Sequence, residues 1–238
     1  MSVENLPIGV FDSGVGGLCV LKDLCDFFPF ENFVYFGDNL NAPYGNKDIQ
    51  TLKSLSKNIV ERLISFGVKG IVIGCNTLSC NLYNFIKDCA CVPVIKTLPP
   101  KCNDRRAVLL CTVKTSESVY VKNNFKGLVI PLKSLAKDIE ANVFNLEGID
   151  LSQIAMKIPL NASKIILGCT HYHFLKNRLQ SLFPSIVVED GYSEVKRLLY
   201  SKLKKQMLFK NSKKGSVTFI GECADFNEKI FKTLLGES

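Results

Sequence analysis

The sequence lacks any hydrophobic segment long enough to cross a membrane and any recognisable secretory signal. It contains no run of about eighteen or more uncharged apolar residues, the length at which a membrane-spanning helix is considered. Residues 1–5, Met-Ser-Val-Glu-Asn, have neither the basic flank nor the apolar core of a signal peptide. These absences predict a soluble, globular protein of the cytoplasm without a membrane partner.

Histidine is scarce, and paired cysteine motifs are missing. The chain has only two histidines, and none of its ten cysteines belongs to a Cys-x-x-Cys pair of the kind that often holds zinc. Ten cysteines in 238 residues are also too dilute for the disulfide scaffold of a small secreted domain. Most of the thiols are therefore expected to be reduced.

Acidic residues are fewer than basic ones, 22 against 30, so the formal net charge is +8. Lysines are densest between positions 196 and 214. Such a cluster is either the solvated face of a helix or a contact for nucleic acid. Because no aromatic-interleaved stripe or zinc-finger spacing accompanies it, we favour the solvated face and expect no nucleic-acid partner.

Short β-branched apolar runs alternate with longer amphipathic stretches, which is typical of parallel α/β proteins. The predicted strands are 7–11, 33–37, 70–74, 92–96, 107–111, 127–130, 164–168, 186–189 and 217–221. The predicted helices are 17–28, 48–66, 76–89, 116–125, 132–142, 172–183, 193–205 and 223–235. With 47% hydrophobic residues, the chain can form two modest domains, each with its own core.

Two segments, one in each half of the chain, share the same pattern. Residues 74–77 are Gly-Cys-Asn-Thr and residues 168–171 are Gly-Cys-Thr-His, each after an apolar strand and before a predicted helix. The carboxyl ends of parallel strands face the crevice where open α/β sheets bind ligands. A helix N-terminus there favours a thiolate. The pattern predicts that Cys75 and Cys169 flank one substrate.

Two further strand ends carry polar residues. In segment 8–17, Asp12 and Ser13 follow a buried strand and precede a glycine-rich turn, where they are either ligand-binding groups or a helix N-cap. The turn does not match the dinucleotide fingerprint. In segment 36–45, Asp38 precedes a Pro-Tyr-Gly sequence, which indicates either a binding loop or a plain turn.

Metal binding is the competing interpretation of the second cysteine motif. Cys169, His171 and His173 offer three ligands, and Cys75 or Cys80 offers a fourth. These residues lie at a predicted helix start, however, where alternate side chains do not share a face. We therefore expect no metal at this site.

The four motifs together resemble the cofactor-independent glutamate racemases of the aspartate/glutamate racemase superfamily. The matching segments are 11–17, 37–38 with 43–45, 75–77 and 168–172, and they occur in the family's order over most of the chain. The resemblance implies two similar parallel-sheet α/β domains with the active site in the cleft between them. It also implies a homodimer that makes D-glutamate for peptidoglycan, and hence for cell wall and cell shape, without pyridoxal phosphate or metal.

The resemblance also implies the site residues and the domain limits. Cys75 and Cys169 would be the two acid/base residues, with Asp12 and His171 assisting the nearby thiols. The substrate-binding residues would be Asp12, Ser13, Tyr44, Gly45, Asn76, Thr77, Thr170 and His171. The first domain would comprise 1–96 and 209–238 and the second 97–208. The two prolines of segment 97–101 independently indicate a crossing there, and a second crossing is expected near 209–215.

Several positions depart from the family pattern. Residues 96–100 replace a common Gly-acidic-Pro sequence, Ser134 stands where Glu is frequent, His173 where Pro is frequent, and Gly191 where Ser is common. These departures leave an aspartate or broad-specificity amino-acid racemase open. From a different class, a non-catalytic protein that binds an amino acid or nucleic-acid machinery remains an alternative, although such a protein would need neither thiol.

Overall fold

The computed structural model describes residues 2–206, 208–210 and 214–237. In this part of the chain nine strands form two sheets in which every pairing is parallel. The strands are β1 Ile8–Asp12, β2 Phe33–Gly37, β3 Gly70–Ile73, β4 Val94–Lys96, β5 Ala107–Cys111, β6 Leu128–Pro131, β7 Lys164–Gly168, β8 Val187–Glu189 and β9 Val217–Ile220. The first sheet has the order β4-β3-β1-β2-β9, and the second has the order β6-β5-β7-β8. The predicted α/β class with two parallel sheets is confirmed.

Helices connect the strands. The α-helices of the described residues are α1 Gly17–Phe27, α2 Ile49–Phe66, α3 Asn76–Asn81, α4 Tyr83–Cys89, α5 Val113–Ser116, α6 Val119–Asn124, α7 Leu135–Ala141, α8 Ser152–Ala155, α9 Lys176–Leu182, α10 Tyr192–Lys205 and α11 Ala224–Leu235. The N-cap of α2 is Asp48, which accepts a hydrogen bond from the Thr51 N–H at 2.9 Å. Gly67 ends this helix in the left-handed conformation, with φ 88°.

Three of the predicted helices differ from the prediction. Segment 76–89 breaks at Leu82, where the Asn81 amide donates back to the Thr77 carbonyl at 2.8 Å and competes with regular helix geometry. The helix predicted over 116–125 is the shorter α6, which starts after its N-cap Ser118, and a separate short helix, α5, capped by Thr112, precedes it. Segment 172–183 begins earlier, as a 3-10 helix over Thr170–Leu175, before α9.

The register of the sheets brings the predicted motifs together. Phe11 of β1 pairs with Ile73 of β3, so Asp12 and Cys75 leave neighbouring strands at the same edge. In the second sheet Cys111 pairs with Gly168, which places residues 112 and 169 side by side. Both sets lie at carboxyl ends of parallel strands, where α/β sheets bind ligands.

Each sheet lies between apolar layers. Helix α10 packs against the core of the first sheet through Tyr192, Val195, Leu199 and Leu203, although the predicted second domain includes it. The lysines in the last turn of α10 are exposed, in keeping with a solvated face. Strand β9 pairs with β2 in the first sheet. The domain limits at 96 and 208 stay a prediction, and residues 211–213 of the second crossing, with Lys213, lie outside the described residues.

No helix within residues 2–206, 208–210 and 214–237 is both long enough and apolar enough to cross a lipid bilayer.

Candidate active site

The two motif cysteines occupy the same local position in the two halves. Cys75 is the N-cap residue of α3, directly after β3 and Gly74, and Cys169 is the N-cap residue of the 3-10 helix that follows β7. Both residues are buried, at 4% and 6% exposure. The matching sequence patterns therefore produce matching strand-to-helix turns.

Both cysteines line one small cavity between the two sheets. Its walls are Ser13, Pro43, Tyr44, Gly45, Cys75, Asn76, Thr77, Thr112, Ala136, Cys169, Thr170 and His171. The enclosed space is about 10 Å³, roughly the room that one water molecule needs. All the predicted site residues except Asp12 line this cavity, and Asp12 lies directly behind it.

Asp12 connects the surroundings of the two thiols. Ser13 Oγ and the Gly14 N–H donate to its Oδ1, both at 3.1 Å, and Thr170 Oγ1 donates to its Oδ2 at 3.0 Å. The Cys75 thiol lies 3.9 Å from Ser13 Oγ. Burial raises the pKa of Asp12, and the charge of His171 and these hydrogen bonds only partly oppose the rise.

His171 connects Cys169 with a carboxylate that the sequence motifs did not indicate. Its Nδ1 lies 4.0 Å from the Cys169 sulfur, and its Nε2 lies 2.6 Å from Oε2 of Glu140 in α7. Burial alone lowers the pKa of His171, but the hydrogen bonds to Cys169 and Glu140 outweigh it and hold the pKa well above its ordinary value. A protonated His171 therefore places a cation beside the Cys169 sulfur.

The environment of Cys75 has the opposite effect. Burial and the neighbouring Asp12 charge raise the pKa of the Cys75 thiol, and the backbone hydrogen bond from Leu78 at the start of α3 lowers it only partly. The sequence-based expectation that each helix N-terminus favours a thiolate is thus wrong for Cys75 in this closed cleft. The site places one thiol next to an anion and the other next to a cation.

Close packing across the cleft depends on Gly16. A Cβ at this position would lie 2.5 Å from Nδ1 of His171, 2.6 Å from the His171 backbone nitrogen and 2.6 Å from Thr170 Oγ1. Only glycine allows the first-sheet turn to approach the Cys169 segment so closely.

The remaining predicted residues form the other wall. Tyr44 donates its hydroxyl hydrogen bond to Asp38, and burial followed by the Asp38 charge raises the Tyr44 pKa far above its usual range. Thr77 Oγ1 lies 3.0 Å from Thr112 Oγ1, across the cleft. The Asn76 amide donates to the Thr97 carbonyl at 3.0 Å and so fixes the crossing segment beside the cavity.

Sequence reasoning missed Thr112 and Glu140. Thr112 follows β5, and it lies beside Cys169 because β5 pairs with β7. Knowing that pairing would have identified Thr112 as a site residue. Glu140 lies on α7, six residues after Ser134 (140 − 134), which stands where Glu is frequent in the resembling family. No local motif marks Glu140, because its partners are 31 and 125 residues away in the chain.

His173 does not join the other residues that the sequence offered as metal ligands. His173 stacks on Tyr192 with ring centroids 4.0 Å apart and faces Asp190, with its Nδ1 3.8 Å from Oδ2, whereas His171 faces Cys169. Within residues 2–206, 208–210 and 214–237, no group of three His, Cys, Asp or Glu side chains has the arrangement of a metal site.

Known proteins are similar to this chain in both sequence and architecture. No protein-family model matches the chain. A curated glutamate racemase of Clostridium perfringens strain 13 is 36% identical over 248 residues, covering 94% of this chain and 93% of the relative. The chain belongs to the glutamate racemase family. The resemblance seen in its four motifs is confirmed.

Solved structures of family members support the same assignment. Glutamate racemase of Thermus thermophilus in complex with β-chloro-D-alanine has a TM-score of 0.80 and 29% identity, covering 97% of this chain and 93% of that one. Glutamate racemase of Francisella tularensis in complex with D-glutamate has a TM-score of 0.78 and 26% identity, covering 99% and 95%. The two-sheet architecture is thus that of the family.

Proposed function

We propose that the chain is a cofactor-independent glutamate racemase that interconverts L- and D-glutamate by two-base proton transfer at Cα. The observation that carries this proposal is the joint position of Cys75 and Cys169, which line one cavity from opposite sheets. Inversion at a carbon requires a proton to leave one face and another to arrive at the opposite face. Two thiols on opposite sides of the substrate meet that requirement.

The charges of the site suggest how the reaction begins. The protonated His171 favours the thiolate of Cys169, while burial and Asp12 keep Cys75 a thiol. The Cys169 thiolate removes the Cα proton and becomes a thiol, and the electron pair of the broken bond spreads into the substrate carboxylate. The Cys75 thiol then delivers its proton to the opposite face and becomes a thiolate. In the reverse reaction the sulfurs exchange roles.

The substrate is held, in this proposal, by hydroxyl and amide groups. Among the described residues that line the cavity none is lysine or arginine, so the two carboxylates of glutamate would accept hydrogen bonds from Thr77, from the Asn76 amide and from backbone N–H groups. Ser13 and Thr170 would also donate to the substrate once their hydroxyls turn away from Asp12. Tyr44 and Gly45 would complete the wall opposite Thr112. Since the enclosed space has room for about one water molecule, the two halves must separate to admit glutamate.

The biological setting follows from the family. D-glutamate complexed with the Francisella tularensis relative supports glutamate as the substrate. The product would supply peptidoglycan synthesis, and thereby cell wall and cell shape, from a homodimer in the cytoplasm. Light scattering in solution tests the dimer, and growth of a D-glutamate auxotroph carrying this chain tests the cellular role.

The deciding experiment measures Cα exchange and optical rotation together. Purified protein is incubated with L-glutamate in deuterated water without added cofactor, and L-aspartate is run in parallel. We expect deuterium at Cα and loss of rotation with glutamate, and roughly 10²- to 10⁴-fold slower racemisation in Cys75→Ser and in Cys169→Ser. The exposed thiol of Cys91 supplies the control Cys91→Ser, which should keep full activity. Activity that needs pyridoxal phosphate, or that persists in both serine variants, would contradict the mechanism.

A further inference from the structure

A series of side-chain contacts connects α11 with the Cys169 segment. Nδ2 of Asn227 donates to Oδ1 of Asn39 at 2.8 Å, and Nδ2 of Asn39 donates to Oε1 of Glu140 at 2.6 Å. The other oxygen of Glu140 meets His171 at 2.6 Å, and His171 meets the Cys169 sulfur at 4.0 Å. The two asparagines lie beside the first sheet and the other three residues beside the second, so the series crosses the cleft.

Glu140 obtains its hydrogen bonds from both halves of the molecule. The Val15 N–H donates to Oε2 at 3.0 Å, and the Asn39 amide donates to Oε1; both come from the first-sheet side. His171 is the partner from the second-sheet side. The Glu140 side chain is only 14% exposed, so its charge depends on these donors rather than on water.

The backbone next to Asn39 leaves room for this arrangement. Gly37 ends β2, and a Cβ there would lie 2.7 Å from Nδ2 of Asn227 and 2.8 Å from Oδ1 of Asn39. A side chain at position 37 would therefore displace both asparagines. Because residue 37 is glycine, Asn227 can contact Asn39 while Asn39 contacts Glu140.

We propose that Asn39 is a positioning residue that, supported by Asn227, holds the Glu140 carboxylate against His171 only while the two halves of the cleft are in contact. This inference rests on the proposed racemase function. Its consequence is that closure of the cleft prepares Cys169: when the halves separate, Glu140 loses the Asn39 and Val15 donors, and the His171 cation loses an ordered counter-ion. Cys75 belongs to a different series, which runs through Ser13 and Asp12 to Thr170 and does not include Glu140.

Asn39 affects the pKa of His171 through the hydrogen bond between His171 and Glu140. Donors on Glu140 stabilise its ionised form and so keep the proton on the imidazole. The titratable groups that face His171 are Cys169 on its own segment, Asp12 at the end of β1 and Glu140 on α7. Loss of the Asn39 donor reduces only the contribution of Glu140 to the raised pKa of His171.

The kinetic test compares Asn39→Ala with Leu40→Ala, a matched control on the same turn whose native side chain is 74% exposed. We expect Asn39→Ala to lower kcat/KM about 10- to 100-fold, the range for losing a hydrogen bond to a charged group. The alkaline limb of its pH profile should move to lower pH, because the His171 cation is lost at a lower pH. Asn39→Gln, which keeps the amide, should recover part of the activity, and Asn227→Ala should give a smaller loss of the same kind.

A direct titration of His171 tests the inference without relying on turnover. The chain has only two histidines, so imidazole NMR with a His173→Gln background isolates His171. In that background the titration midpoint should fall in Asn39→Ala and stay unchanged in Leu40→Ala. An unchanged midpoint in Asn39→Ala overturns the positioning role even if the chain racemises glutamate. A shifted midpoint in a chain that does not racemise glutamate supports the positioning role and rejects the function on which it rests.

Discussion

Thr170 of the second half donates a 3.0 Å hydrogen bond to Oδ2 of Asp12 in the first half. Thr170 directly follows Cys169, and Asp12 reaches Cys75 through Ser13. This single bond therefore joins the surroundings of the two proposed bases. The pKa of Asp12, which lies next to Cys75, therefore depends on contact with the second half.

Replacing this threonine should change the acid side of the pH profile. Thr170→Val removes one donor from Asp12, whose pKa burial already raises, so the Asp12 pKa should rise further. The carboxylate is present above the folded-state pKa and is lost as pH falls through it; the acid limb of kcat/KM should therefore move to higher pH. At neutral pH we expect a loss of about 10- to 100-fold.

The matched control for that variant is Thr233→Val. Thr233 is exposed on α11, and its hydroxyl donates to the Lys229 carbonyl of its own helix at 3.1 Å. Its pH profile should coincide with that of the unmodified chain. If the pH profiles of Thr170→Val and Thr233→Val coincide, the hydrogen bond from Thr170 to Asp12 does not set the acid limb.

Packing between the halves should be sensitive to one methyl group at Gly16. A Cβ in Gly16→Ala would meet His171 at 2.5 and 2.6 Å, so the Cys169 segment must shift. Misplacement on the scale of 1 Å lowers catalysis by roughly 10²-fold. Racemisation assays should show this loss, whereas Gly148→Ala, whose Cβ would meet nothing closer than 3.8 Å, should keep its activity. Equal activity in the two variants would mean that the close approach is not needed.

Stability away from the cleft should depend on the buried pair Lys69 and Glu31. Their side chains are 0% and 3% exposed, and Lys69 also donates to the carbonyls of Glu4 and Leu208 at 2.7 and 2.8 Å. Lys69→Met leaves the Glu31 charge buried without its partner, which should lower the free energy of unfolding by about 3–5 kcal/mol.

Urea unfolding measures this effect against two references. Lys57→Met removes an exposed lysine whose pair with Glu61 spans 3.9 Å, and its effect should stay within about 0.5 kcal/mol. A double variant with Lys69→Met and Glu31→Leu should recover much of the loss, because no isolated charge remains. A Lys69→Met protein as stable as the Lys57→Met protein would show that the buried pair does not anchor this region.

Much of the fold was predictable because parallel strands carry local signals. All nine predicted strands occur among the described residues, with ends shifted by no more than two positions. The helices were less predictable, since side-chain bonds such as that of Asn81 to the Thr77 carbonyl interrupt a continuous apolar pattern. The interruption depends on one polar side chain, which periodicity does not register.

The sequence by itself determined the two Gly-Cys motifs, their place after apolar strands and the family that they indicate. Tertiary structure alone decided that Thr112, Glu140 and Asn39 join them, and that Cys75 faces Asp12 while Cys169 faces His171. The reason is physical: strand and turn signals lie within a few residues, whereas Asn39 and Glu140 are 101 residues apart and meet only when the two sheets pack across the cleft.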